Sequence, residues 1–411
     1  MLLLRTLRYG NFAKLWTAQI FALIASYLLN FALILTVYSL TEHTQYRTLS
    51  VSLVILAFTI PAFFASPMAG AYVDYWNRKH VMVCVNILRT LLVLCFIPAS
   101  RNLPLILLLT LVISVITQFF IPAEAATIPK LVPKKYLLPA NSLFVTSIYV
   151  TFILGYLATG PTISILGKNG PFIATSVMFL IATLFVAWLP RQSTHTRTRE
   201  MPSINPLVQL KINWHLIREV PSRFFSVIQI GLSQGLMYVL IALVPALSTV
   251  LFGGKLESNS YVLIMSVGVG MVIGMVIVNL LPKRLNIPRV ILGCLLFASF
   301  LLVLFGVFVG LVQGQHMDHS NIIKVVIIVG VFGVLNAIIA TLAQTLLQYS
   351  TDDTNRGRVF GSLQMLINFG AALPIFISGI LTDVLSVSWS LFIIGSALLV
   401  YSVILSLKWR S

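Results

Sequence analysis

"RQSTHTRTREMPSINPLVQLKINWHLIREVPSR", residues 191–223, is the longest polar stretch in a chain that is 58% hydrophobic and only 9% charged. A soluble domain carries about 25% charged residues. With a mean hydropathy of +0.99, too little polar sequence is left to coat a surface in water. The chain on either side of this segment reads as sequence solvated by lipid. A hydrocarbon core about 30 Å thick is crossed by roughly 20 helical residues. Six apolar runs of that size or longer precede the segment, at 12–40, 48–73, 81–99, 104–127, 141–166 and 170–189. Six more follow it, at 223–252, 260–281, 289–313, 321–349, 358–385 and 387–407. The expectation is an all-α membrane protein of twelve transmembrane helices in two pseudo-symmetric six-helix bundles, residues 1–190 and 223–411, joined by a linker at 191–222.

The net charge of +17 is placed to orient such a protein. Lys and Arg accumulate in cytoplasmic loops. With the N-terminus inside, only Arg47, Arg101, Lys168, Lys255 and Lys324 of the 27 basic residues fall on the outer side. Both termini are therefore expected to be cytoplasmic in a multi-pass protein of the cytoplasmic (inner) membrane. The basic balance orients the chain and calls for no nucleic-acid partner. Cys84, Cys95 and Cys294 lie inside apolar runs and read as small hydrophobes. His316 and His319 lack a third ligand, so no metal site is expected. The opening "MLLLRTLRYGNFAKLW" shows no cleavable leader.

The halves echo one another. The loop after the second run carries "GAYVDYWNRKH", Gly70 to His80. The loop after the eighth carries "NLLPKRLNIPR", Asn279 to Arg289, with Lys283 at the position of Asp74. Duplicated six-helix halves are a transporter architecture, with substrate held between them near the bilayer midplane.

Gly70, Asp74, Arg78 and Lys79 in the second loop of such a chain resemble the signature of the major facilitator superfamily. The stretches "FIPAEAATIPKLVPKKYLLPANSL", 120–143, and "RGRVFGSL", 356–363, resemble its exporter branch, which includes macrolide-efflux, enterobactin-export and lysophospholipid-transport proteins. The resemblance implies that the cluster is a gate. Asp74 would face the start of span 11 at Arg356 and Arg358, where the helix dipole is positive. Glu124, the sole acid of span 4, would accept from Arg78.

Ionisable groups inside a membrane are expensive and usually functional. Arg89, well inside span 3 with Asn86 one turn back, is either a substrate or gate group, or a snorkelling side chain. Neutral polar groups make up the rest of the expected cavity. They are Ser26 and Asn30 in span 1, Gln118 in span 4, Gln234 and Tyr238 in span 7, Asn336 and Gln344 in span 10, and Gln364 and Asn368 in span 11. Asp383, at the end of span 11, reads as a helix cap.

No enzyme signature is present, and no phosphate-binding Gly-x-x-x-x-Gly-Lys-Ser/Thr loop, so neither a cofactor nor ATP is expected. The function expected is secondary export of a small apolar or amphipathic compound by alternating access, with proton or sodium as the coupling ion. Lysophospholipid transport on the same fold, and a non-transporting receptor or assembly factor, are the alternatives.

Overall fold

The computed structural model describes residues 6–133, 136–190, 217–252, 256–280, 286–313, 319–350 and 372–408. Among them the chain is helical, and the helices follow the apolar runs. In chain order they are α1 Gly10–Leu40, α2 Arg47–Tyr75, α3 Arg78–Ala99, α4 Leu103–Leu131, α5 Leu137–Leu166 and α6 Gly170–Ala187. The second set is α7 Pro221–Phe252, α8 Leu256–Leu280, α9 Ile287–Val312, α10 His319–Tyr349, α11 Ala372–Val384 and α12 Val387–Lys408. Ten are long and apolar enough to cross a membrane, by length and composition. In α5 and α11 the apolar helix described is shorter, Val150–Leu166 and Ala372–Val384. Of the linker expected at 191–222, residues 191–216 lie outside the described residues.

Helix starts are set by asparagine. Asn77 accepts from the backbone N–H of Lys79 at 3.1 Å and of His80 at 3.4 Å, which begins α3. Asn286 accepts from Arg289 N–H at 3.3 Å and begins α9. Asn102 does the same for α4 through Leu105 N–H at 3.1 Å. Each satisfies donors that an α-helix leaves orphaned in its first turn. Asn77 stands seven residues after Gly70, and Asn286 seven after Asn279. The duplicated loops therefore keep the cap while exchanging Asp74 for Lys283.

Dense internal packing divides the chain into two compact units. The first is Met1–Thr36 with Ala57–Gln209; the second is Val37–Leu56 with Leu210–Ser411. In the first, α3 packs mainly on α6 and α4. In the second, α8 packs on α10, and α9 on α12. Lipid tails are as apolar as leucine, so close van der Waals approach is what joins such helices, and small residues permit it. A Cβ on Gly270 of α8 would run into the Gly330 carbonyl of α10, and one on Gly333 into the Val267 carbonyl. Hydroxyls inside the helices mostly bond their own backbone. Thr110, Thr127 and Thr183 each donate to the carbonyl four residues back at 2.7–2.8 Å, so they are carried through apolar surroundings without an orphaned group.

Candidate functional site

The first unit holds a charged cluster in its interior. Arg89 of α3 is only 3% exposed. Its Nε donates to Thr117 Oγ1 at 3.1 Å, Nη1 to Asn86 Oδ1 at 3.2 Å, and Nη2 to the Thr117 carbonyl at 3.5 Å. The guanidinium carbon lies 4.9 Å from the centre of the Phe120 ring and 5.3 Å from that of Phe179. Two aromatic faces thus meet the cation while α4 supplies oxygen acceptors. The arrangement fixes Arg89 within the bundle and does not extend it towards a helix end.

Glu124 stands on α4 one turn beyond Phe120. Its charge and that of Arg89 act on one another. Yet none of the three Arg89 hydrogen bonds goes to Glu124. Glu124 Oε1 is buried and accepts no hydrogen bond, and Asn86 Nδ2 is buried and donates none. A buried polar atom without a partner costs about 1–3 kcal/mol, more when charged. One acceptor and one donor are left over in a single cluster.

The gate residues distribute differently from expectation. Gly70 lies on α2. The Asp74 side chain, Arg356 and Arg358 are outside what is described, as are Gln364 and Asn368. Arg78, the first residue of α3, donates through Nη1 to the Ala126 carbonyl of α4 at 2.8 Å. The bond described for Arg78 is to this backbone carbonyl, and the expected pairing of Arg78 with Glu124 is not among the contacts described. Glu124 turns Oε1 inward, where Arg89 is the charge that acts on it, and Arg78 is met by backbone near the end of α4. Lys79 donates through Nζ to the Leu189 carbonyl at 2.7 Å. Lys14 of α1 reaches the neighbouring Trp188 carbonyl at 3.4 Å. Two ammonium groups thus meet the carbonyl-rich, negative end of α6.

The neutral polar residues divide into bundle glue and exposed groups. Ser26 donates to the Ala22 carbonyl at 2.7 Å and Asn30 to the Ser26 carbonyl at 3.2 Å, both within α1. Gln118 is buried and donates to the Ser114 carbonyl at 3.4 Å. Asn336 is buried and donates to the Ser233 carbonyl at 3.0 Å, tying α10 to α7. Gln234 is exposed on α7, with Tyr238 one turn on and half-buried; Gln344 of α10 is also half-buried.

Sequence reasoning passed over Thr117, Phe120 and Phe179 around Arg89. It also passed over Gln229, which donates to Tyr401 Oη at 3.1 Å, and buried Arg223, which donates to the Ser350 carbonyl beyond α10 at 2.8 Å. A cation within an apolar run is the signal that pointed to this region, and with Arg89 it named Asn86 one turn back.

The chain is similar over most of its length to known transporters. It is 23% identical over 372 residues to an uncharacterized MFS-type transporter, YfiS, of Bacillus subtilis (strain 168), covering 87% of this chain and 84% of that one. A second uncharacterized MFS-type transporter of the same organism, YkuC, is 25% identical over 264 residues, covering 59% of this chain and 60% of that one. Among solved structures, the POT family transporter PepTSo superposes with a TM-score of 0.76 at 9% identity, covering 98% of both chains. The nucleoside transporter NupG gives a TM-score of 0.72 at 14% identity, covering 96% of this chain and 98% of that one. At these identities the solved structures establish a shared fold. The profile of the Major Facilitator Superfamily matches residues 15–348. Taken with the duplicated helix sets, this match places the chain in the major facilitator superfamily of membrane transporters.

Proposed function

We propose that the protein is a secondary exporter of a small apolar or amphipathic compound, working by alternating access. In this reading the six-helix halves, residues 1–190 and 223–411, are joined by a linker at 191–222 on the cytoplasmic side of the cell membrane, where both termini also lie. The observation that carries the reading is the Arg89 cluster. A guanidinium is held in the interior of an apolar bundle, ringed by Phe120, Phe179, Thr117 and Asn86, with polar atoms of Asn86 and Glu124 left unpartnered. A membrane bundle has no structural need for a buried cation. A transport cycle has a use for one.

Gly70, Asp74, Arg78 and Lys79, with Arg356 and Arg358, form the gate in this account. Gln234, Tyr238 and Gln344 supply exposed or half-exposed polar groups towards substrate. Few charges line the path, which disfavours highly charged compounds. The test is flux of drugs, siderophores and lysolipids in proteoliposomes containing the purified protein. Movement no faster than in protein-free vesicles would remove the transport reading and leave a receptor or assembly role.

A further inference from the structure

The second unit encloses a cavity in which the Arg89 cluster has no part. α7, α8 and α10 pack on one another, and α9 packs on α10 and α7. Between the four helices about 30 Å³ is left open, lined only by Leu, Val, Ile and Phe. Its floor is buried, with Val267 of α8, Leu302 of α9 and Phe332 of α10. Its rim is not: Leu240 of α7, Leu301 of α9 and Ile328 of α10 are half-buried. Leu304 of α9, one turn from Leu301, and Ile327 of α10, beside Ile328, are exposed. Apolar side chains exposed on a membrane-spanning helix are solvated by lipid tails. The rim therefore borders the hydrocarbon around the bundle.

A second, smaller cavity of about 10 Å³ lies one helical turn further along, among α7, α9, α10 and α12. The step is the same on three helices: Leu240 to Leu236 on α7, Leu302 to Ala298 on α9, and Phe332 to Asn336 on α10. One turn is about 5.4 Å. Phe332 lines both cavities and divides them. Beyond it the lining turns polar, with Ser233, Ser299 and Asn336. Asn336 bonds the Ser233 carbonyl and Ser299 meets Ser402. The larger cavity thus has a lipid-side rim, a wholly apolar wall and a polar stop behind Phe332. Such a wall excludes water and takes apolar groups. The space is about a fifth of the roughly 150 Å³ that admits benzene elsewhere, so it takes the end of a flexible chain and not a ring. It admits one chain; the paired chains of a bilayer phospholipid cannot enter together. We propose that this cavity holds the end of the alkyl chain of the exported compound. The proposal rests on the export reading and narrows its substrate class to single-chain amphiphiles, with the chain reaching the cavity from the lipid side past Leu301 and Ile328.

The test uses the purified full-length protein in lipid nanodiscs and a lysolipid that carries a photoreactive diazirine on the last carbon of its chain. Mass spectrometry locates the adduct after illumination. Adducts are expected at Val267, Leu302 and Phe332, and a tenfold excess of unmodified lysolipid should reduce them about tenfold by mass action. The same lysolipid with its diazirine beside the headgroup should leave these residues unlabelled. Ile328→Trp, which fills the rim, should abolish most of the labelling, while Ile327→Trp on the adjoining lipid face should leave it unchanged. Val267→Ile fills the cavity from α8 with less strain and should lower the labelling even where Ile328→Trp fails to fold. Labelling confined to exposed side chains such as Leu304 and Ile327 would overturn the proposal. So would cavity labelling that excess lysolipid leaves unmoved, which would give the space to bilayer lipid. Proteoliposome flux of the drug, siderophore and lysolipid panel separates the two readings. Flux without cavity labelling keeps the exporter and rejects the chain site; competed labelling without flux keeps the site and rejects the exporter.

Discussion

Asp383, at the end of α11, accepts the backbone N–H of Thr48 at 2.8 Å, and with its other oxygen that of Leu49 at 2.7 Å. The carboxylate caps the N-terminus of α2, a helix 335 residues away in sequence. It satisfies two first-turn donors and places negative charge at the positive end of the dipole. Gly379, one turn earlier on α11, closes the approach; a Cβ there would stand 2.6 Å from Ser52 Oγ. Arg47 completes this end, with its Nε on the Tyr38 carbonyl at 2.7 Å and its guanidinium 3.7 Å from the Tyr38 ring centre. Tyr38 Oη meets Thr249 Oγ1 at 3.1 Å. These contacts are why Val37–Leu56 groups with the second unit.

In the alternating-access cycle proposed above, α2 and α11 part at this end, so weakening the cap should raise the share of molecules in which they are apart. A charged cap of this kind is worth about 1–2 kcal/mol, which is roughly a 5- to 30-fold change in population. In a background without the native cysteines, a cysteine at buried Ser52 should react with an impermeant maleimide faster by about that factor in Asp383→Ala. Asp383→Asn, which retains one acceptor, should fall between. Gly379→Ala acts through sterics and should move the rate the same way. An unchanged rate in Asp383→Ala would show that the cap holds nothing closed.

Arg78 donates to the Ala126 carbonyl, whereas Arg89 and Glu124 share a field. Double-mutant cycles should register the difference. Losses of transport in Arg78→Gln and Glu124→Gln should add within about 0.5 kcal/mol. Arg89→Gln with Glu124→Gln should deviate from additivity by about 0.5–3 kcal/mol. Equal coupling in the two cycles would contradict the placement of Glu124 on the Arg89 side.

Lys79 is in the gate motif by sequence but sits on the end of α6. Lys79→Ala should lower stability by about 0.3–1 kcal/mol, the usual worth of a cation at a helix C-terminus, and Lys14→Ala by a similar or smaller amount. Thermal unfolding in detergent checks both. A Lys79→Ala protein of wild-type Tm that has lost transport would show that Lys79 serves the gate and does not hold the end of α6.

Asn336 should behave as glue and Gln234 as a contact. Asn336→Ala removes one interhelical hydrogen bond, worth about 0.6 kcal/mol on average within membrane bundles, and should lower Tm while leaving apparent KM unaltered. Gln234→Ala should leave Tm unchanged and shift apparent KM. Reversal of these two patterns would exchange their roles.

How much of this was written in the sequence depends on the range of each interaction. A span is a local property, and apart from α11, described from Ala372, the helix ends fall within a few residues of the apolar runs because twenty-odd lipid-soluble residues cannot be accommodated otherwise. Arg89 was conspicuous for the same reason, as a cation in apolar sequence. Beyond Asn86, one turn back on the same helix, its partners were not. Thr117 lies 28 residues away and Phe179 on a third helix, and hydroxyl and ring are common in any span. Arg78 was read as seeking a carboxylate, but its Nη1, like Lys79 Nζ, meets a backbone carbonyl, which every residue has and no motif displays. Asp383 was read as the cap of span 11, which it ends; it caps instead the start of α2, which only the folded chain brings to it.

The most direct test of the account is the movement of an amphipathic compound across a vesicle membrane that contains only this protein. Purified protein in proteoliposomes, with a pH gradient imposed across the bilayer, should move at least one compound of the drug, siderophore and lysolipid panel saturably. Transport should be faster when the compartment receiving the compound is the acidic one. If no compound moves faster than in protein-free vesicles under either direction of the gradient, the protein is not the exporter described here.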